Sequence, residues 1–229
     1  MQKIPVKTEA PIRINKYLSD CGIYSRRQAD KLIGENKVHV NGTLIPMGTK
    51  VKDGDVITIN SKQGKNIYAL YHKPRGEITG KVEALDDALP VGRLDKDSEG
   101  LLLYTNDFRV FDNLLNPEFG REKEYDVTVR EKATPRVVTI LKRGITTQEG
   151  NFAEVRDVVI KSGGHNIKII LTEGKKHEIR RMLNALNLTI TKLVRTRIMY
   201  MKISGLKAGA VKIFDEKETE KLLKELGLE

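Results

Sequence analysis

The chain has 229 residues, 39% hydrophobic and 31% charged, with 41 Lys/Arg against 31 Asp/Glu and a formal net charge of +10. That is ample apolar content for one large domain or a small and a medium one, and the basic balance favours a polyanionic partner, nucleic acid before membrane. The single cysteine, Cys21, excludes an intrachain disulfide framework and an all-cysteine metal site; with nothing resembling a signal peptide and no apolar run of membrane-spanning length, a cytoplasmic protein is expected.

Residues 1–10 read as a loose basic lead. From Pro11, the positions Ile14, Tyr17/Leu18 and Cys21 line one helical face, and Gly22 is a stop signal. Ser25 stands three residues before Gln28, a capping-box spacing that predicts a second helix with Ala29, Leu32 and Ile33 on one face. Residues 38–40 alternate like a strand, Asn41-Gly42 is a hairpin signal, and Asp53-Gly54-Asp55 turns the chain before a strand at 56–59. Arg13, Arg26, Arg27, Lys31 and Lys37 lie around the two helices, suited to backbone phosphates, though any one of them is equally well an ordinary solvated cation. The polar stretch 61–66 reads as a linker that separates a domain over 1–60 from one over 67–229.

Beyond the linker, residues 67–72 alternate as a strand that runs into the turn Lys73-Pro74-Arg75-Gly76, and 77–90 form a connector with a short helix around 82–89. The stretch 91–107 then brings an acidic turn directly into Leu101-Leu102-Leu103-Tyr104-Thr105, the pattern of a buried strand. A turn fixed by such a strand is a good mount for a reactive group, because the scaffold positions it while substrate can still reach it. Asp95, Asp97, Glu99 and Gly100 imitate the first half of a calcium loop, but the next residues are apolar and the twelfth position is Asn106 where a glutamate is needed, so no metal is expected. A solvated acidic turn and a catalytic carboxylate both remain open on pattern alone. Further on, Asp107 opens a helix to 115, 123–130 alternates as a strand, Thr134-Pro135 starts a helix to about 143, and strands follow around 152–159 and 166–171. The helix over 175–186 has the clearest pattern, with Ile179, Met182, Leu183 and Leu186 in one stripe and Arg180 about 100° beside it. A strand region at 191–204 and an amphipathic helix at 216–226 complete an α+β chain.

Gly92-Arg93-Leu94-Asp95, followed by Ser98-x-Gly100-Leu101-Leu102-Leu103, resembles the active-site signature of the ribosomal pseudouridine synthases that carry an S4-like RNA-binding domain. Lys73-Pro74-Arg75-Gly76 resembles the family's upstream motif, residues 123–127 its tyrosine strand and residues 173–182 its basic helix, all in the family's order. The resemblance implies a small S4-like domain followed by a larger mixed, mainly antiparallel-sheet synthase domain. It also implies isomerisation of uridine to pseudouridine in ribosomal RNA, the large subunit favoured, by a monomer that needs no cofactor and binds RNA but no membrane. Asp95 takes the catalytic role, Arg180 stands beside it, Tyr125 stacks on the target base, Ile179 lines the pocket, and Arg93 holds RNA near the displaced nucleotide. RNA contacts of the first domain are expected from Arg13, Ser25, Arg26, Arg27, Lys31 and Lys37, whereas Lys73 and Pro74 shape the site, Asp97 and Asp107 are structural, and His177 can be read as a general base but, as a lone histidine beside two lysines, is more often an RNA-surface or packing residue. The sequence does not choose between attack by Asp95 on the sugar, attack on the base, and removal of a ribose proton. Two rival functions stand beside this one: a synthase acting on transfer RNA, and a non-catalytic RNA-binding assembly factor.

Overall fold

A computed structural model describes residues 2–60, 65–85, 88–146, 150 and 152–228, so most of the expected linker and part of the 82–89 segment lie outside the described residues. The first 60 residues build a core of their own. Helices Ile14–Asp20 and Arg26–Gly34 pack Ile14, Leu18, Ala29 and Ile33 onto an antiparallel sheet that contributes Val38, Ile57 and Ile59. The second helix starts as its capping box requires: the Gln28 backbone N–H donates to Ser25 Oγ at 3.1 Å, and Ser25 N–H donates back to Gln28 Oε1 at 3.0 Å. Residues 2–5 are an ordered edge strand rather than a loose lead, paired Gln2↔Ile59 through Pro5↔Val56. The reason is apolar: Ile4 and Val6 are buried and close the open side of the small core.

The larger body is a mixed sheet whose strands lie in the spatial order 157–160, 166–171, 123–129, 190–198, 99–105, 68–73 and 211–213. Its pairings are antiparallel except one, where the 190–198 strand runs parallel to 99–105. The run Leu101 to Tyr104 is buried because the 99–105 strand is covered on both faces. Leu102 and Tyr104 join the core beneath helices Pro135–Arg143 and Glu178–Ala185, while Leu101 and Leu103 meet Val110, Leu114, Leu222 and Leu226 of helices Arg109–Leu115 and Glu216–Leu226. Several expected elements are shorter or broken, among them the helix expected from Pro11, which begins at Ile14, and the helix expected from Asp107, which begins at Arg109. The strand expected around 152–159 splits into Phe152–Ala153 and Asp157–Ile160, the C-terminal strand region into Ile190–Ile198 and Met201–Lys202, and among its described residues the connector holds one helical turn, Glu83–Leu85, and a short strand, Leu89–Pro90. The helix expected from Lys175 begins at Glu178, because His177 takes a left-handed conformation with φ of 56°.

Candidate active site

Asp95 sits on a tight turn closed by the Ser98 backbone N–H donating to the Asp95 carbonyl at 3.0 Å. The turn leads straight into the central strand, so the two-sided burial of that strand fixes where the carboxylate stands. The loop 74–80 braces it from one side. Gly76 N–H donates to the Lys96 carbonyl at 2.8 Å, Thr79 Oγ1 donates to the Leu94 carbonyl at 2.7 Å, and Leu94 N–H donates to Thr79 Oγ1 at 3.0 Å. Lys73 underlies this loop, fully buried, with Nζ donating to the carbonyls of Pro74 and Glu77 at 2.8 and 2.7 Å. Burial pushes the Lys73 ammonium down, while the Glu77 and Asp95 carboxylates help to hold its charge.

From the other side the first turn of helix Glu178–Ala185 delivers two cation-forming side chains. Arg180 Nε lies 3.4 Å from Asp95 Oδ2, a long contact, and its Nη2 donates to the buried Ser98 Oγ at 3.0 Å. His177 Nε2 lies 3.2 Å from Asp95 Oδ1. Each carboxylate oxygen is thus held by a different residue, and the Asp95 side chain is still 35% exposed. Held at both oxygens, the carboxylate cannot spin about its Cβ–Cγ bond, yet it remains open to a substrate.

Tyr125 and Ile179 are both buried and belong to the same core cluster as Leu94, the residue before Asp95. Arg93 is exposed, two residues before Asp95. In the first domain, Arg13, Arg26, Arg27 and Lys31 are exposed, as phosphate contacts need to be. Ser25 spends its oxygen as a helix cap, and Lys37 is half-buried with Nζ 2.6 Å from Glu35, which Lys31 approaches at 3.8 Å.

Three ionisable residues lie at or beneath the start of helix Glu178–Ala185. His177, expected on an RNA surface or in packing, has its imidazole swung over Asp95 by the left-handed turn. Glu178 is buried under the helix start, where its Oε2 accepts from the Lys175 backbone N–H at 3.0 Å. Burial, and then the neighbouring Glu173, push its carboxyl up to about 7. Lys123 is buried beside it and pushed down to about 8 by burial and then by the Arg195 charge, with Glu178 acting the other way. The signal for Lys123 is in the sequence: it shares the alternation of Tyr125, Val127 and Val129, the buried side of its strand. Asp107 lies just ahead of its helix, which begins at Arg109 and not at Asp107 as expected; it is buried, accepting from Tyr68 Oη at 2.7 Å and pairing with Arg109, also at 2.7 Å.

A half-exposed carboxylate held by a guanidinium and an imidazole therefore stands beside the main core, with a two-helix domain carrying exposed cations ahead of it. Residues 59–185 match the RNA pseudouridylate synthase family, and residues 12–57 match the S4 domain. The chain is 31% identical to ribosomal large subunit pseudouridine synthase B of Bacillus subtilis, across 92% of this chain and 95% of that one. It is 31% identical to the dual-specificity RNA pseudouridine synthase RluF of Escherichia coli, across 88% of this chain and 74% of that one. A crystal structure of a pseudouridylate synthase shares the fold, with a TM-score of 0.68 at 22% identity over 92% of this chain and 99% of that one. The chain belongs to the RNA pseudouridylate synthase family and is an enzyme of that class. The reading as a non-catalytic assembly factor therefore falls. Among the described residues no helix is long and apolar enough to cross a membrane.

Proposed function

We propose that this enzyme isomerises uridine in ribosomal RNA, the large subunit favoured, with Asp95 as the catalytic carboxylate. The observation that carries the reading is the two-point hold on Asp95 by His177 and Arg180, next to Ile179, which shares a buried cluster with Tyr125 and Leu94. The names of the similar synthases from Bacillus subtilis and Escherichia coli support the choice of class, and the former supports the large subunit. The reaction breaks the bond from N1 to C1′ and makes one from C5 to C1′; C5 loses a proton, N1 gains one, and no electrons are transferred. A carboxylate oriented by a guanidinium can act on the sugar or the base as nucleophile or as base, and Tyr125 and Ile179 keep the detached uracil from leaving.

The division of labour follows the chain. Residues 1–60 supply backbone affinity through Arg13, Arg26, Arg27, Lys31 and Lys37, with Ser25 fixing the helix that carries three of them, and residues 67–229 supply the chemistry, Arg93 holding RNA near the displaced nucleotide. The protein works as a monomer in the cytoplasm, on RNA and without a membrane.

Release of tritium from RNA labelled at uridine C5 tests the role of Asp95. Asp95→Asn keeps shape and hydrogen-bonding capacity while removing the charge, so RNA affinity should persist and release should stop. Asp97→Asn, an exposed carboxylate of the same turn, should release normally. Release by both variants would show that the carboxylate is misassigned, and release from transfer RNA but not from ribosomal RNA would move the substrate.

A further inference from the structure

Ile78 is 66% exposed, more than any other large hydrophobic side chain among the described residues. A lone exposed isoleucine usually means nothing. Here the backbone on either side of it is bolted down. The preceding Glu77 is held through its carbonyl by the fully buried Lys73 and through its carboxylate by the hydroxyl of the buried Tyr71 at 2.9 Å. Burial and the Glu77 carboxylate push the Tyr71 phenol up, so it stays a donor. The following Thr79 is bonded in both directions to Leu94, and the next residue, Gly80, accepts from the buried Tyr104 hydroxyl at 2.7 Å. Mobile loop tips do not recruit a buried lysine and two buried tyrosines. The loop is rigid, and the apolar side chain at its tip is offered to water.

The position of the loop says what that side chain is for. Its bonds run to Leu94 and Lys96, the two neighbours of Asp95, so Ile78 is held at a fixed place relative to the carboxylate. A uridine in a folded RNA must leave its stack before Asp95 can reach it, and an enzyme that extrudes a base has to offset lost stacking and pairing. Apolar side chains, isoleucine among them, enter base steps and partly unstack them in other nucleic-acid-binding proteins. Isoleucine suits the task, because a β-branched side chain has little rotamer freedom to lose. We propose that Ile78 is an apolar wedge that enters the base stack beside the target uridine and takes the place it leaves. Its ligand is the face of the flanking nucleobase, in contrast to the phosphates met by the cations of the first domain. The proposal rests on the reading that Asp95 acts on a uridine of structured RNA.

The test uses the full chain and a ribosomal RNA hairpin carrying C5-tritiated uridine at the modified position in a stem, with 2-aminopurine beside it to report unstacking by brightening. A second hairpin places an abasic nucleotide opposite the uridine, so that pairing no longer holds it. Ile78→Ala should slow single-turnover tritium release on the paired hairpin by roughly tenfold or more, in line with the loss of most of one buried aliphatic side chain. On the abasic hairpin the same variant should be slowed clearly less, since loss of the pair has already removed part of the flipping cost. Ile78→Leu should retain most of the activity on both. Equal slowing on the two hairpins would mean that Ile78 shapes the site, and no slowing on the paired one would mean that it never enters the stack; either overturns the proposal. Brightening is also read in Asp95→Asn, with and without Ile78→Ala. Brightening that depends on Ile78 but comes with no tritium release by wild type supports the wedge and sinks the proposed function. Release by wild type without Ile78-dependent brightening sinks the wedge alone.

Discussion

Gly100 is where the active-site turn meets the middle of the sheet, and replacing it with alanine should damage both. Its φ of 121° lies where side chains are rarely tolerated, and an added Cβ would stand 2.4 Å from the Arg195 carbonyl oxygen and 2.5 Å from the Arg195 nitrogen. Holding alanine in such a conformation costs about 1–3 kcal/mol. The collision is with backbone, not with a flexible side-chain end, so overpacking adds about 1–3 kcal/mol more. The chain can escape only by opening the parallel ladder, registered at Val194↔Glu99 and Arg195↔Gly100, and losing the bond from the buried Arg195 Nε to the Leu101 carbonyl at 2.7 Å. The expected loss is about 2–6 kcal/mol, a large share of the roughly 5–15 kcal/mol that holds a domain together. Urea unfolding measures it, with Gly174→Ala as the control, since that glycine has open space around it and no positive φ. The control should stay within about 0.5 kcal/mol of wild type. Tritium release by whatever Gly100→Ala protein remains folded should fall too, because Asp95 hangs from the same strand. Unfolding of Gly100→Ala at the wild-type urea concentration would refute the reasoning from close approach.

Two further expectations concern charge. Arg26→Glu/Arg27→Glu should weaken RNA binding and flatten its dependence on salt, because a protein that neutralises fewer phosphates displaces fewer counterions; a folded double variant with unchanged affinity and slope would remove these residues from the interface. Glu178→Gln should change how stability depends on pH. With its carboxyl at about 7 in the fold against an ordinary 4.5, the native state binds more protons than the unfolded chain between those values, so this group's contribution falls as pH rises through that window. Burial raises Glu173 too, but its hydrogen bonds with Glu178 and Lys175 outweigh that and leave it low, so it works in the opposite sense. Thermal melts from pH 4 to pH 9 should therefore show a flatter acid-to-neutral slope in the glutamine variant and a relative gain above about pH 7; an unchanged slope would show that the buried carboxyl does not titrate there.

How much of the fold and site is legible in the sequence depends on how local the cause is. The capping box of Ser25 and Gln28, the apolar stripe of the 178–185 helix and the two-sided burial of Leu101 to Tyr104 are each set within one or two turns of chain, and each stands as read. The ordered 2–5 strand is invisible locally because its partner is the 56–59 strand, more than 50 residues away. His177 is hidden for a backbone reason: nothing in Lys175-Lys176-His177 announces a left-handed residue, and without it the helix would start earlier and the imidazole would point elsewhere.

The glycine of Ser-x-Gly-Leu shows how the local and the distant are joined. In the sequence it reads as part of a turn, while its actual constraint comes from Arg195, nearly a hundred residues on. That close approach lets the one parallel pairing form, which lays the 190–198 strand between the tyrosine strand and the strand that carries Asp95. The same 190–198 strand pairs Arg195 with Tyr125 on its other side. A single strand therefore sets the spacing between the carboxylate and the pocket tyrosine, and the helix that brings Arg180 and His177 packs over that junction. The motif around Asp95 is continuous in sequence, but the candidate site is an assembly of four separate segments, 73–80, 94–100, 123–125 and 177–180, joined through the ladder at Gly100 and Arg195 and the bonds to Leu94 and Asp95.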